Sequence, residues 1–68
     1  MKYIIKLDDD KYYFGSEYKL DADKFAITTI IKKSAKRYST RAKAEHTMNR
    51  LIRTCVNATN AEIEEVEK

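Results

Sequence analysis

From Ala44 to Cys55 the small and apolar residues recur with helical spacing: Ala44, Thr47, Met48, Leu51, Ile52 and Cys55 fall at i, i+3, i+4, i+7, i+8 and i+11. That row forms one stripe along a helix of about four turns, and a helix with one apolar stripe must lay it against another element. A chain of 68 residues has room for one core only. The helix must therefore cover whatever the remaining segments build.

Those segments read as strands. In Lys2–Leu7 the residues Tyr3, Ile5 and Leu7 alternate with Lys2, Ile4 and Lys6, a period of two with β-branched and aromatic members. Asp8, Asp9 and Asp10 supply turn chemistry, and Lys11–Gly15 returns as the second strand of an antiparallel hairpin. Ser16–Lys24 is a polar connection that can extend this strand. Phe25–Ile31 is rich in β-branched residues and reads as a third strand. Phe25, Thr28 and Thr29 also match helical spacing, but Ile and Thr lose rotamer freedom in a helix, which favours the strand. Ser39 is the expected N-cap, with Thr40 and Arg41 opening the helix. Ala61–Glu67 gives a last strand around Ile63 and Val66. The expected fold is α+β in the order β-β-β-α-β: one domain over residues 1–68, with an antiparallel sheet of three to four strands and one amphipathic helix packed on one face.

Several function classes fall away. Cys55 is the only cysteine and His46 the only histidine, so neither a disulfide framework nor a structural zinc site can be assembled. Asp8–Asp10 lacks the alternating acids, glycine and distal glutamate of a calcium loop. No run approaches the roughly 20 apolar residues of a membrane span, and the start has no signal-peptide apolar region. The expectation is a cytoplasmic protein without metal or cofactor. Glu45, the only acid near His46 in sequence, points about 100° round the helix from it. Cys55 lies on the apolar stripe, and no catalytic motif is present. The chain is not expected to be an enzyme.

Charge provides the functional lead. Between Lys32 and Arg53 stand eight basic residues (Lys32, Lys33, Lys36, Arg37, Arg41, Lys43, Arg50 and Arg53) and one acid, Glu45, a net of +7. The rest of the chain carries six basic and ten acidic residues, a net of −4, within an overall +3. On the helix, Lys43, His46, Arg50 and Arg53 share a stripe facing away from the apolar row. The eight basic residues are candidates for contact with phosphates or an acidic protein surface. Tyr13, expected on the sheet face opposite Tyr12 and Phe14, is a candidate exposed aromatic contact beside Ile4.

The order Lys-Tyr-Ile-Ile-Lys, Tyr-Tyr-Phe-Gly, Ala-Lys-Arg-Tyr-Ser and Ala-Glu-Ile-Glu-Glu-Val resembles many short phage- and prophage-encoded accessory proteins of Gram-positive bacteria. In those, a β-hairpin precedes an Ala-Lys-Arg-aromatic-Ser/Thr lead-in to a helix and a final strand. Ala35, Lys36, Arg37, Tyr38, Ser39, Ala44 and Glu45 carry the likeness here. The resemblance implies a stoichiometric inhibitor of host machinery, including anti-CRISPR and other anti-defence proteins, with no catalytic residues to transfer. The expected partner is thus a host protein or ribonucleoprotein complex, such as a CRISPR effector, in the cytoplasm of a bacterial host. Steric block would come through the basic surface. The alternative is direct, sequence-independent binding of DNA or RNA by the same residues. A third is self-association, a homodimer formed through an exposed sheet edge.

Overall fold

A computed structural model of the chain describes residues 1–66 and contains four strands in one antiparallel sheet, in the order β3-β2-β1-β4. The strands are β1 (Lys2–Lys6), β2 (Tyr12–Leu20), β3 (Asp23–Thr29) and β4 (Glu62–Val66), and the helix α1 (Arg41–Thr54) precedes β4. This is the expected α+β arrangement in the expected order. Phe25–Ile31 does hold a strand, set two residues earlier. Strand β2 extends into the expected connection Ser16–Lys24 as far as Leu20, and β3 takes up its last two residues. Glu67, the expected end of the last strand, lies outside the described residues. Among the described residues no helix is long and apolar enough to cross a membrane.

The helix begins one residue later than expected. Thr40, not Ser39, is the N-cap: its backbone is extended and its hydroxyl accepts the Lys43 N–H at 3.2 Å. Tyr38, bridged to Tyr3 by two backbone hydrogen bonds, holds the chain extended up to that point.

Helix α1 lies on one face of the sheet. Leu51 and Cys55 pack with Ile5, Leu7, Tyr13, Ala26 and Ala58, and Tyr38, Met48, Ala61 and Ile63 close the margins. Ile52 departs from the expected stripe and is 39% exposed, because it stands about 100° round the helix from Leu51 and overhangs the sheet.

Strands β1 and β2 pair only at Lys6 and Tyr12 and then splay. The chain from β3 fills the gap. Lys32–Ser34 forms a 3-10 turn whose first residue ion-pairs with Glu64 of β4 and stands over the Tyr12 ring, both on the back face of the sheet. Ala35 is then buried, the Lys36 N–H donates to the Tyr13 carbonyl at 2.9 Å, and Tyr38 bridges Tyr3 of β1. Residues 36–38 are thus a wedge between the two strands, carrying the chain from the back face to the helix face. This crossing explains why Ile4, on the back face beside Glu64, is fully buried rather than exposed.

Beyond the wedge, β2 and β3 project as a hairpin arm, and the molecule measures 37 × 22 × 17 Å. The arm begins with a bulge: Tyr13 pairs Thr28 and Glu17 pairs Ala26, so three residues of β2 stand opposite one of β3. Gly15 makes that bulge at φ +126°, and the Lys36 stem passes 3.6 Å from where its Cβ would stand. Gly15→Ala is expected to destabilise the fold by about 1–3 kcal/mol through backbone strain, read as a lower midpoint in urea denaturation. An unchanged midpoint would mean the bulge relaxes at no cost.

The outer edge of β3 is covered by the segment after α1. The Val56 N–H donates to the Lys24 carbonyl at 2.9 Å, and the Asn57 side chain both accepts from the Ala26 N–H (2.9 Å) and donates to its carbonyl (3.0 Å). Asn57 therefore satisfies edge groups that a further strand would otherwise take.

Candidate functional site: a basic groove at the helix N-terminus

The wedge and the first turns of α1 enclose an open groove of about 690 Å³, lined by Lys2, Lys36, Arg37, Tyr38, Ser39, Ala42, Lys43, His46 and Thr47. Each side chain arrives there for a local reason. Lys36 and Arg37 come from the wedge, which the Tyr13 and Tyr3 backbones hold in place. Lys43 follows the Thr40 cap, and His46 and Thr47 lie one turn on. Lys2 stands at the start of β1, beside the residue that Tyr38 bridges. Among the described residues no acid lines the groove, and Lys2, Lys36, Arg37 and Lys43 share one concavity at the positive end of the helix dipole. Burial pushes the Tyr38 hydroxyl up from its ordinary range, while its hydrogen bond with Thr47 opposes that shift. Tyr38 is thus the half-buried floor of the groove.

The eight basic residues expected to act together are divided by the fold. Lys36, Arg37 and Lys43 meet in the groove. Lys32 is engaged with Glu64 on the back face, and Arg41 with Glu45 one turn along the helix at 3.0 Å. Lys33 and Arg53 are exposed but do not line the groove.

Arg50 is a correction. Rather than joining an outward stripe, it donates from Nη1 to Glu17 Oε1 of the arm at 2.7 Å. Glu17 also accepts the Tyr13 hydroxyl and has Lys24 Nζ at 3.8 Å, and its side chain is only 13% exposed. The Arg50 bond, against the cost of burial, holds the Glu17 carboxyl below the usual carboxylate range, and Glu17 in turn raises the Arg50 guanidinium further. This cluster joins the arm to the helix. Arg50 is thereby engaged within the fold, with its side chain 40% exposed.

Tyr13 is the second correction. It is 2% exposed, on the helix face of the sheet within the core, so it offers no surface for a partner. Alternation does set Tyr13 opposite Tyr12, but the Lys6–Tyr12 pairing puts Ile4 on the Tyr12 face rather than beside Tyr13, and the face that holds Tyr13 is the one the helix covers. Burial, and then its bond to Glu17, push the Tyr13 hydroxyl up to about 12.

No family model, no curated protein and no solved structure matches the chain. The groove has to be interpreted from its own chemistry. Among the described residues no group of three or more His, Cys, Asp or Glu side chains is arranged to hold a metal ion. Cys55 is buried, as its place on the apolar stripe implied. Lys2 was not among the expected site residues, because 34 positions separate it from Lys36 and only the bridge of Tyr38 to Tyr3 brings the two segments together. Lys–aromatic–β-branched at a strand start carries no signal of that meeting.

Proposed function

We propose that this chain is a small non-enzymatic binding protein that grips a phosphodiester backbone in the groove formed by Lys2, Lys36, Arg37 and Lys43. The observation that supports this reading is the convergence of Lys2, Lys36, Arg37 and Lys43, hydroxyl groups and a helix N-terminus on one concave surface that no acid among the described residues lines. Contacts of this kind position a strand without reading its sequence, because they reach phosphates rather than base edges. A phage-type inhibitor role would use the same groove. A protein that occupies a guide or target backbone within a host nucleoprotein complex, a CRISPR effector among them, blocks it sterically. Binding to free DNA or RNA is the simplest form of the same activity.

Mobility-shift or anisotropy titrations against duplex and single-stranded DNA and RNA test it. With Lys2, Lys36 and Lys43 each neutralising one phosphate, the slope of log K on log salt is expected at roughly −2.7 for duplex and −2.1 for single strands. Lys36→Glu/Lys43→Glu should weaken binding on the order of 100-fold near 0.05 M salt and reduce the slope by about 2. Arg53→Glu, outside the groove, should change both much less. Absence of binding to every nucleic acid at low salt, with the fold intact by circular dichroism, would rule the proposal out.

A further inference from the structure

The back face of the β2–β3 arm is uncovered. Register places Tyr18 and Leu20 of β2 there, opposite Phe25 and Asp23 of β3, and alternation adds Ile27. Tyr18 and Phe25 stack at 5.4 Å between ring centroids. Of the eight large apolar residues that are exposed, five lie on this arm or just beyond its end: Phe14 (52%), Tyr18 (48%), Leu20 (58%), Ile30 (78%) and Ile31 (58%). Helix α1 packs on the other face, and the Lys32–Ser34 turn reaches only the Tyr12 end. A concentration of apolar surface like this on a small chain marks an interaction site.

Charge at the ends of the stripe identifies the occupant. On the apolar face the hairpin tip is acidic, with Asp23 there and exposed Asp21 in the turn, while the Lys19–Lys24 pair belongs to the opposite face. The other end is basic, with Lys33 exposed after Ile31. The eight residue steps from Asp23 to Ile31 span about 26 Å, so the two charges lie too far apart to satisfy one another. A surface that is apolar along its length, acidic at one end and basic at the other is complementary to itself turned end for end. We propose that this face is a two-fold self-association surface, on which the arm of a second copy lies antiparallel. Leu20 of each chain then meets Ile31 of the other, and Asp23 of each meets Lys33 of the other. A parallel arrangement would set acid against acid and base against base. The two-fold operator repeats every contact, as an isologous dimer requires.

Sedimentation of the full chain over roughly 1–100 µM is the first test, since dimers form in a concentration-dependent manner. Twice the 8.0 kDa chain mass is expected at the upper end, and a monomer throughout would overturn the proposal. Leu20→Lys/Ile31→Lys, both at exposed sites, should give a folded monomer by circular dichroism. A dimer that survives this variant would instead point to the β4 edge and overturn the proposal. Asp23→Lys alone and Lys33→Asp alone should each weaken self-association by about tenfold or more, since each sets like charges together. Mixing the two variants should restore pairing as a heterodimer, because both charged contacts are then opposite in sign. Failure of the mixture to pair would overturn the antiparallel geometry.

Discussion

Leu51→Ala is expected to remove most of the stability of the fold. Leu51 is fully buried between α1 and the sheet, against Ile5, Tyr13, Ala26 and Cys55. Truncating a buried leucine costs about 2–5 kcal/mol from lost transfer energy and the cavity left behind. At about 0.05–0.15 kcal/mol per residue, a domain this small has only roughly 3–10 kcal/mol in total. A substantial unfolded fraction near 37 °C follows, with a thermal midpoint lowered by 10 °C or more on the usual scale of about 4–8 °C per kcal/mol. Ile52→Ala is the matched control. Ile52 belongs to the same sequence stripe but is 39% exposed, and its truncation should cost less than about 1 kcal/mol. Equal losses at the two positions, measured by urea denaturation, would show that the helix is rotated from the orientation described.

Glu17→Ala is expected to have the second largest effect. It leaves the Tyr13 hydroxyl, buried in the core, without its acceptor, and it takes from Arg50 the carboxylate it bonds. A buried polar group left unsatisfied costs about 1–3 kcal/mol. Loss of a partner in a fully buried ion pair costs about 3–5 kcal/mol, a figure reduced here because the Arg50 side chain is 40% exposed. The total expected is about 2–4 kcal/mol, and Glu17→Gln, which keeps an acceptor, should lose less. Arg50→Ala should also lower stability while leaving the groove's affinity for nucleic acid unchanged once the protein is folded. A loss of affinity comparable to that of Lys36→Glu/Lys43→Glu would place Arg50 back in the binding surface.

The same cluster sets the pH dependence. Glu17 has its folded pKa depressed, so its contribution is present above the ordinary carboxylate range and is lost as pH falls through the folded value. Tyr13 has its folded pKa raised to about 12, so its contribution is full below the ordinary value near 10 and is lost as pH rises from there towards 12. Stability should therefore decline at both extremes. In Glu17→Ala the acid arm of this cluster should vanish and the alkaline arm shrink, since burial of Tyr13 remains. Ultraviolet titration should show Tyr13 ionising late, with Tyr38 also displaced upward.

The groove was half legible. Lys36, Arg37 and Lys43 stand close in sequence around a helix start, so local spacing sufficed to group them. Lys2 was not, since it joins them only through pairing between Tyr3 and Tyr38. Arg50 was grouped wrongly because helical spacing says which residues share a stripe but not what stands beside that stripe. Here the bulged arm puts Glu17 there.

Local periodicity by itself determined the helix, the strand segments, their order and the burial of Leu51 and Cys55. These depend on contacts between near neighbours and on the need of one apolar stripe for one sheet. Only the tertiary structure decided which face of β2 the helix covers, and thus that Tyr13 is core and the Tyr18–Phe25 face is not. It alone decided that residues 36–38 separate β1 from β2, assembling the groove and burying Ile4. The physical reason is that alternation sends side chains to two faces without naming either. The choice between them is made by long-range packing, whose partners lie tens of residues apart.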